Sequence, residues 1–182
     1  MSAKGEKFTA LEIVEVGLVV GLALLLSVFK FLPMPQGGSV SLEMVPIFFI
    51  ASRRGLKIGI VAGAILGLLK LLVEPFIVHP VQLVMDYPLA FALIGLAGLA
   101  KGGTLPKMLG GIALGSLGRF ISHVLSGVIF FASYAPEGTN VWIYSLGYNA
   151  SYMVPEAIVC LILVPILIKI IPPLPRSREA GA

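Results

Sequence analysis

Apolar residues run almost unbroken through six stretches of the chain, and polar positions gather between them. The stretches are residues 11–32, 42–52, 56–73, 81–100, 105–131 and 149–171. A helix crosses a bilayer with about 20 mostly apolar residues, so each stretch predicts a membrane helix. The second is short for a span unless its flanks lengthen it. Pro33 and Pro35 close the first run, and Pro172-Pro173 close the last. The runs lack the apolar–polar alternation of a membrane barrel, so no strands are predicted. Leu- and Ala-rich segments with internal glycine suit packed membrane helices. The expected fold is an all-α integral membrane protein in which residues 1–182 form one six-helix domain. No internal repeat, separate domain or low-complexity tail is legible.

Composition sharpens this picture. Hydrophobic residues make up 58% of the chain and charged ones 12%, against roughly 25% charged in an ordinary soluble domain. The mean hydropathy is +1.02. Such a chain cannot supply the polar skin of a soluble enzyme, and it is neither a disordered chain nor a disulfide scaffold. The net charge is only +4, and the basic residues sit at the ends of apolar runs, which excludes nucleic acid as a partner. The lone Cys160 cannot form a disulfide within one chain. The stretch 1–10 is short and polar without a small-residue cleavage site, so it reads as carrying no removable signal peptide.

The basic residues also predict orientation. Lys4 and Lys7 precede the first helix. Arg53, Arg54 and Lys57 lie between the second and third, and Lys101 and Lys107 between the fourth and fifth. Lys169, Arg176 and Arg178 follow at the end. The opposite side has only Lys30 and Lys70 near helix ends, and the segment 132–148, read as a loop, has neither Lys nor Arg. Cationic loops stay in the cytoplasm, so both termini are expected there, in agreement with an even number of spans. The polar and aromatic loops then face outward.

Three groups of residues invite chemistry. Asp86 lies inside an apolar run, where an ionised carboxylate costs roughly 2.5 kcal/mol or more at a helix centre. It is either a helix-start residue near the interface, six residues past Pro80, or a group facing a cavity or a cation. Arg119, His123 and Gly127 recur at four-residue spacing, hence on one helix face. His123 reads as an interhelical hydrogen bond or a ligand contact, and Arg119 as half of a structural pair with a carboxylate or carbonyl. Phe130, Phe131, Tyr134, Trp142, Tyr144, Tyr148 and Tyr152 crowd the outer end of the last two helices, as an interfacial belt or as pocket walls. Aromatic faces attract cations, so carboxylate, imidazole, the Asn149 amide and aromatics together suit a flat cationic ligand. With two histidines, His79 and His123, and no zinc-like spacing, no metal site is predicted. Small-residue pairs line the first helix (Gly17, Gly21), the third (Gly59, Gly63, Gly67) and the fifth (Gly111, Gly115, Gly118). On the third and fifth they suit internal packing. The first helix, terminal in sequence, suits a partner face. No nucleotide-binding motif and no nucleophile–histidine motif is present, so the chain is expected not to be an enzyme and to need no cofactor.

Three strings resemble one family closely: MPQGGSVSLEMVPIFFIASRRG (34–55), HPVQLVMDYPLAFALIGLAGL (79–99), and GRFISHVLSGVIFFASYAPEG with WIYSLGYNASY (118–152). The chain resembles the thiamine-specific S components of energy-coupling factor (ECF) transporters, the ThiT/YuaJ family, over nearly its whole length. The resemblance implies an S-component bundle in the cell membrane. It would capture thiamine from outside without energy input and work with a membrane T component and two cytoplasmic ATPase subunits. It further implies that Asp86, Tyr87, His123, Gly127, Phe131, Tyr144 and Asn149 contact thiamine, that Phe76 joins them from the loop between helices three and four, and that Gly17 and Gly21 meet the T component. Three positions depart from the pattern. The acid is Asp86 where the family has Glu, the stacking ring is Phe131 where Trp is common, and a loop-one Trp has no counterpart in Gln36-Gly37-Gly38. Other readings kept open are an S component for another flat vitamin or precursor, such as pyridoxine or a hydroxymethylpyrimidine, a stand-alone carrier or channel, and a membrane enzyme acting on a lipid.

Overall fold

The computed structural model describes residues 8–171. Residues 1–7 and 172–182 lie outside it, and with them most of the polar stretch 1–10, Lys4, Lys7, Pro172-Pro173, Arg176 and Arg178. Six helices carry the described chain: α1 (Ala10–Val28), α2 (Met44–Arg54), α3 (Leu56–Val73), α4 (Pro80–Ala100), α5 (Leu105–Phe130) and α6 (Val141–Ile170). All but α2 are long and apolar enough to cross a membrane.

Local chemistry explains where these helices begin and end. Thr9 caps α1 in a reciprocal capping box with Glu12. The first helix stops at Val28, four residues short of the predicted end, although the apolar run continues. Pro33 disfavours helical backbone at Leu32, and the chain instead forms a small hairpin. There β1 (Leu32–Pro33) pairs antiparallel with β2 (Ser39–Val40), a ladder where the sequence predicted none. The last helix starts at Val141, eight residues before the predicted 149, because the Asn140 side chain accepts from the Trp142 N–H at 2.9 Å and caps it. Tyr144 and Tyr148 are therefore helical, and not in a loop. The polar residues of this first stretch do not break the span, because Ser145 and Asn149 are buried against α5.

Helix α4 is irregular. Its middle, Met85–Leu89, is a π turn around Pro88, and its end, Gly95–Ala100, tightens to a 3-10 helix. Pro88 lacks the N–H that an α turn requires, and a wider turn absorbs the defect. This places Asp86 and Tyr87 within a π bulge. Against it, α3 approaches very closely: a Cβ on Gly63 or Gly67 would overlap the carbonyls of Phe91 and Tyr87.

Helix α2 is the centre of the bundle. Met44, Ile47, Phe48, Ile50 and Ala51 are buried among α1, α3, α4, α5 and α6. The outer faces of α1, α3 and α6 expose Leu18, Leu25, Leu72, Ile158 and Ile162, as surfaces meeting lipid do. Contacts sort the connections to two ends. At one end Arg54, closing α2, bonds Glu15 near the start of α1, Lys101 reaches the Arg54 carbonyl, and Arg53 bonds the carbonyl of Ile171. At the other, the hairpin turn touches α6 and Lys30 pairs with Glu74 after α3. The functional cavity opens at this second end.

Candidate functional site

A cavity of about 330 Å³ lies between the hairpin, the α3–α4 loop and helices α3 to α6, within the roughly 300–1,000 Å³ usual for small-molecule sites. One wall is acidic. The π bulge of α4 presents Asp86, which three side chains hold. Gln82 Nε2 donates to Oδ2 at 2.8 Å, Ser126 Oγ donates to Oδ2 at 2.9 Å, and His123 Nδ1 stands 3.1 Å from Oδ1. In the tautomer whose Nδ1–H donates to the carboxylate, Nε2 is an acceptor, and that atom is buried without a partner among the described residues.

Aromatic residues form the next wall. Phe131 stacks on Phe76 with centroids 5.9 Å apart and planes 22° apart, and leans on Tyr134 at 6.0 Å. Tyr144 and Tyr148 lie one turn apart on α6 with centroids 6.0 Å apart. Trp142 is half exposed and does not line the cavity.

The remaining wall is an ion-pair chain. Lys30 Nζ meets Glu74 Oε2 at 2.8 Å, and Lys70 Nζ meets the same oxygen at 3.1 Å. Lys70 also stands 3.1 Å from Glu43 Oε2, an ion pair by distance. Arg119 donates to Glu43 Oε1 at 3.3 Å and to Glu156 Oε2 at 3.0 Å, and Ser41 donates twice to Glu156 Oε1, from N–H and Oγ, both at 3.0 Å. Three cations face three carboxylates, so the chain is internally balanced and Asp86 is left as the further carboxylate of the cavity. At the mouth, burial opposes ionisation of Glu74, but hydrogen bonds and charge from Lys30 and Lys70 outweigh it and hold this carboxyl below the usual range.

The structure brings Asp86, Tyr87, His123, Gly127, Phe131, Tyr144, Asn149 and Phe76 to this one cavity, but with different duties. The Tyr87 hydroxyl is committed to the α3–α4 loop, accepting from the Phe76 N–H at 2.7 Å and donating to the Glu74 carbonyl at 3.0 Å. It thereby also positions Phe76. Asn149 donates to the Ser145 carbonyl and accepts from the Tyr152 hydroxyl, each at 2.9 Å. The space left by Gly127 is taken by Ser145: a Cβ there would overlap Ser145 Oγ, so this glycine serves the approach of α5 to α6. Gly17 and Gly21 do not line the cavity. They line an apolar groove between α1 and α3, and a Cβ at either would meet nothing within 4 Å among the described residues.

Sequence reasoning did not single out Gln82, Ser126, Gln36, Glu43 or Glu156 for this site. Glu156 carried a usable signal, an acid in the last apolar run, since intramembrane charges pair with one another. Gln82 and Ser126 sit four residues before and forty after Asp86, and only the packing of α4 on α5 unites them.

The model of the family described as Thiamine transporter protein (Thia_YuaJ) matches residues 13–175. The Thiamine transporter ThiT of Bacillus subtilis (strain 168) is 42% identical, over 93% of this chain and 96% of that protein. The Thiamine transporter ThiT of Lacticaseibacillus paracasei is 31% identical, over 92% of this chain and 91% of that protein. A solved structure of ThiT from Listeria monocytogenes superposes with a TM-score of 0.79 at 27% identity, covering 87% of this chain and 93% of that one. The match extends over nearly all the described residues, cavity walls included, and the chain belongs to the thiamine transporter (ThiT/YuaJ) family.

Proposed function

We propose that this chain is the thiamine-binding membrane subunit of an ECF-type importer. The observation that carries the reading is the Asp86 wall: a carboxylate outside the balanced ion-pair chain, beside an unpartnered imidazole nitrogen and stacked aromatics. Thiamine carries a permanent positive charge on its thiazolium ring and an amino group on its pyrimidine. Asp86 supplies the counter-charge. His123 Nε2 accepts a ligand N–H. Phe131, backed by Phe76, offers a ring face, with Tyr144 and Asn149 on the α6 side and Tyr87 and Gly127 holding the walls in place. The shorter Asp86 reaches its role through three supporting side chains.

The protein works as one membrane domain with the cavity outside and both termini in the cytoplasm. Arg53, Arg54, Lys57, Lys101, Lys107 and Lys169 support this orientation, all belonging to the end away from the cavity. Thiamine enters without energy input. A T component docks on the α1 groove at Gly17 and Gly21, where nothing among the described residues lies within 4 Å of an added Cβ, and two cytoplasmic ATPase subunits drive delivery.

Calorimetric titration of the detergent-purified protein tests the first step, with riboflavin and pyridoxine as controls. One-to-one binding of thiamine alone is expected. Heat with pyridoxine but not thiamine would replace the ligand and keep the subunit reading. Thiamine flux in liposomes holding this chain alone would favour a stand-alone carrier and overturn the need for partners.

A further inference from the structure

Most polar atoms around the cavity have partners. Gln36 Oε1 does not: it is buried and accepts no hydrogen bond. An unpaired buried acceptor is disfavoured, and native structures retain few of them. Its position is not accidental, because the backbone around it is fastened to α6. The Tyr148 hydroxyl accepts from the Gln36 N–H and donates to the Gly37 carbonyl, each at 2.9 Å. Two residues on, Gly38 takes φ +86° against the face of Tyr152, where a Cβ would come 2.7 Å from Cζ. Only glycine satisfies both the left-handed backbone and that approach. The turn is therefore held. Gln36 lines the cavity, and its amide oxygen joins His123 Nε2 and the Lys70-paired Glu43 Oε2 as buried polar atoms there that make no hydrogen bond among the described residues.

We propose that Gln36 is a specificity-determining residue of this cavity, its Oε1 accepting a hydrogen bond from an N–H or O–H of the bound ligand. The inference rests on the thiamine reading above. Thiamine has two such donors, the pyrimidine amino group and the hydroxyl of its side chain. Asp86 answers the charge of the ligand, and Gln36 answers a neutral donor that other flat cations lack.

The test is calorimetric titration of wild type, Gln36→Leu and Gln36→Glu with three ligands. These are thiamine, oxythiamine (the amino group replaced by oxygen) and the analogue with chlorine in place of the hydroxyl. Gln36→Leu is expected to weaken thiamine about 3- to 10-fold, the range for one neutral hydrogen bond. Gln36→Glu keeps an acceptor and is expected to bind thiamine at least as well as wild type. One of the two analogues, the one lacking the donor that Gln36 meets, should bind wild type and Gln36→Leu equally. That equality also establishes that the leucine variant is folded. Equal thiamine affinity for wild type and Gln36→Leu would overturn the proposal. So would equal weakening of all three ligands, which would mean that the side chain only shapes the turn. A Gln36→Glu variant as weak as the leucine one would make the amide a donor and overturn the acceptor role. Failure of wild type to bind thiamine would instead overturn the thiamine reading, and this role with it.

Discussion

Removing Arg119 tests the ion-pair chain most directly. Arg119 and Glu43 are each 3% exposed and Glu156 is 0% exposed. Breaking a buried pair by deleting one partner costs about 3–5 kcal/mol, because an uncompensated charge stays behind. Two carboxylates lose a partner here, but unequally. Glu43 keeps Lys70 at 3.1 Å, whereas Glu156 keeps only the two Ser41 bonds at 3.0 Å and no other cation. Most of the loss in Arg119→Met therefore belongs to Glu156, and about 4 kcal/mol is expected. Adding Glu156→Gln removes the stranded charge while the amide oxygen still accepts from Ser41. The double variant should recover about 2 kcal/mol or more. Unfolding by SDS titration of detergent-purified protein, followed by circular dichroism, ranks the three proteins. A double variant no more stable than the single would refute the charge argument. The loss would then come from packing, since the Arg119 guanidinium also lies 4.6 Å from the centre of the Phe91 ring.

Other outcomes follow from the same geometry. Asp86→Asn should weaken thiamine about ten- to a hundredfold by removing a charged interaction of roughly 1.5–3 kcal/mol; unchanged affinity in calorimetry would sink the counter-charge role. Gly63→Ala should destabilise, because its Cβ meets the Phe91 carbonyl, while Gly110→Ala, with open space around it, should gain up to about 1 kcal/mol of helix propensity; equal thermal shifts would contradict the packing of α3 on α4. Replacing Gly17 and Gly21 with leucine should leave thiamine binding intact and abolish uptake with the T component and ATPases, so a parallel fall in binding would return α1 to an internal role. The carboxyl of Glu74 is held below its usual range, so its stabilising pairs are present at neutral pH and lost as pH falls through the folded value. The stability gap between wild type and Glu74→Gln should therefore close as the pH falls below the ordinary carboxylate range, and a gap constant with pH would exclude the Lys30–Glu74–Lys70 pairs as its source.

The legible and the illegible parts of this protein divide along physical lines. Helix α3 could be read to the residue, because an unbroken apolar run between Gly55 and Glu74 leaves the backbone no alternative in hydrocarbon. The ends of α1 and α6 could not be read from apolarity. Leu32 belongs to a hairpin despite its hydrophobicity, and Ser145, Tyr148 and Asn149 belong to a helix despite their polarity, since they face the bundle and not the lipid. Pro88 was visible, but the π bulge it produces, and so the aim of Asp86, was not.

The sequence by itself determined that this is a membrane bundle, where its cationic end lies, and that Asp86 and Arg119 called for partners. Those conclusions follow from transfer energies and spacing, which belong to single residues and single helices. Only the tertiary structure decided who the partners are. Arg119 joins Glu43 and Glu156 across 76 and 37 residues of chain, Asp86 gathers Gln82, His123 and Ser126, and Tyr148 holds the turn that carries Gln36. Pairing at such separations depends on which helix faces meet, and those are set by the packing of six helices together, as at Gly63 on α4 and Gly127 on α6.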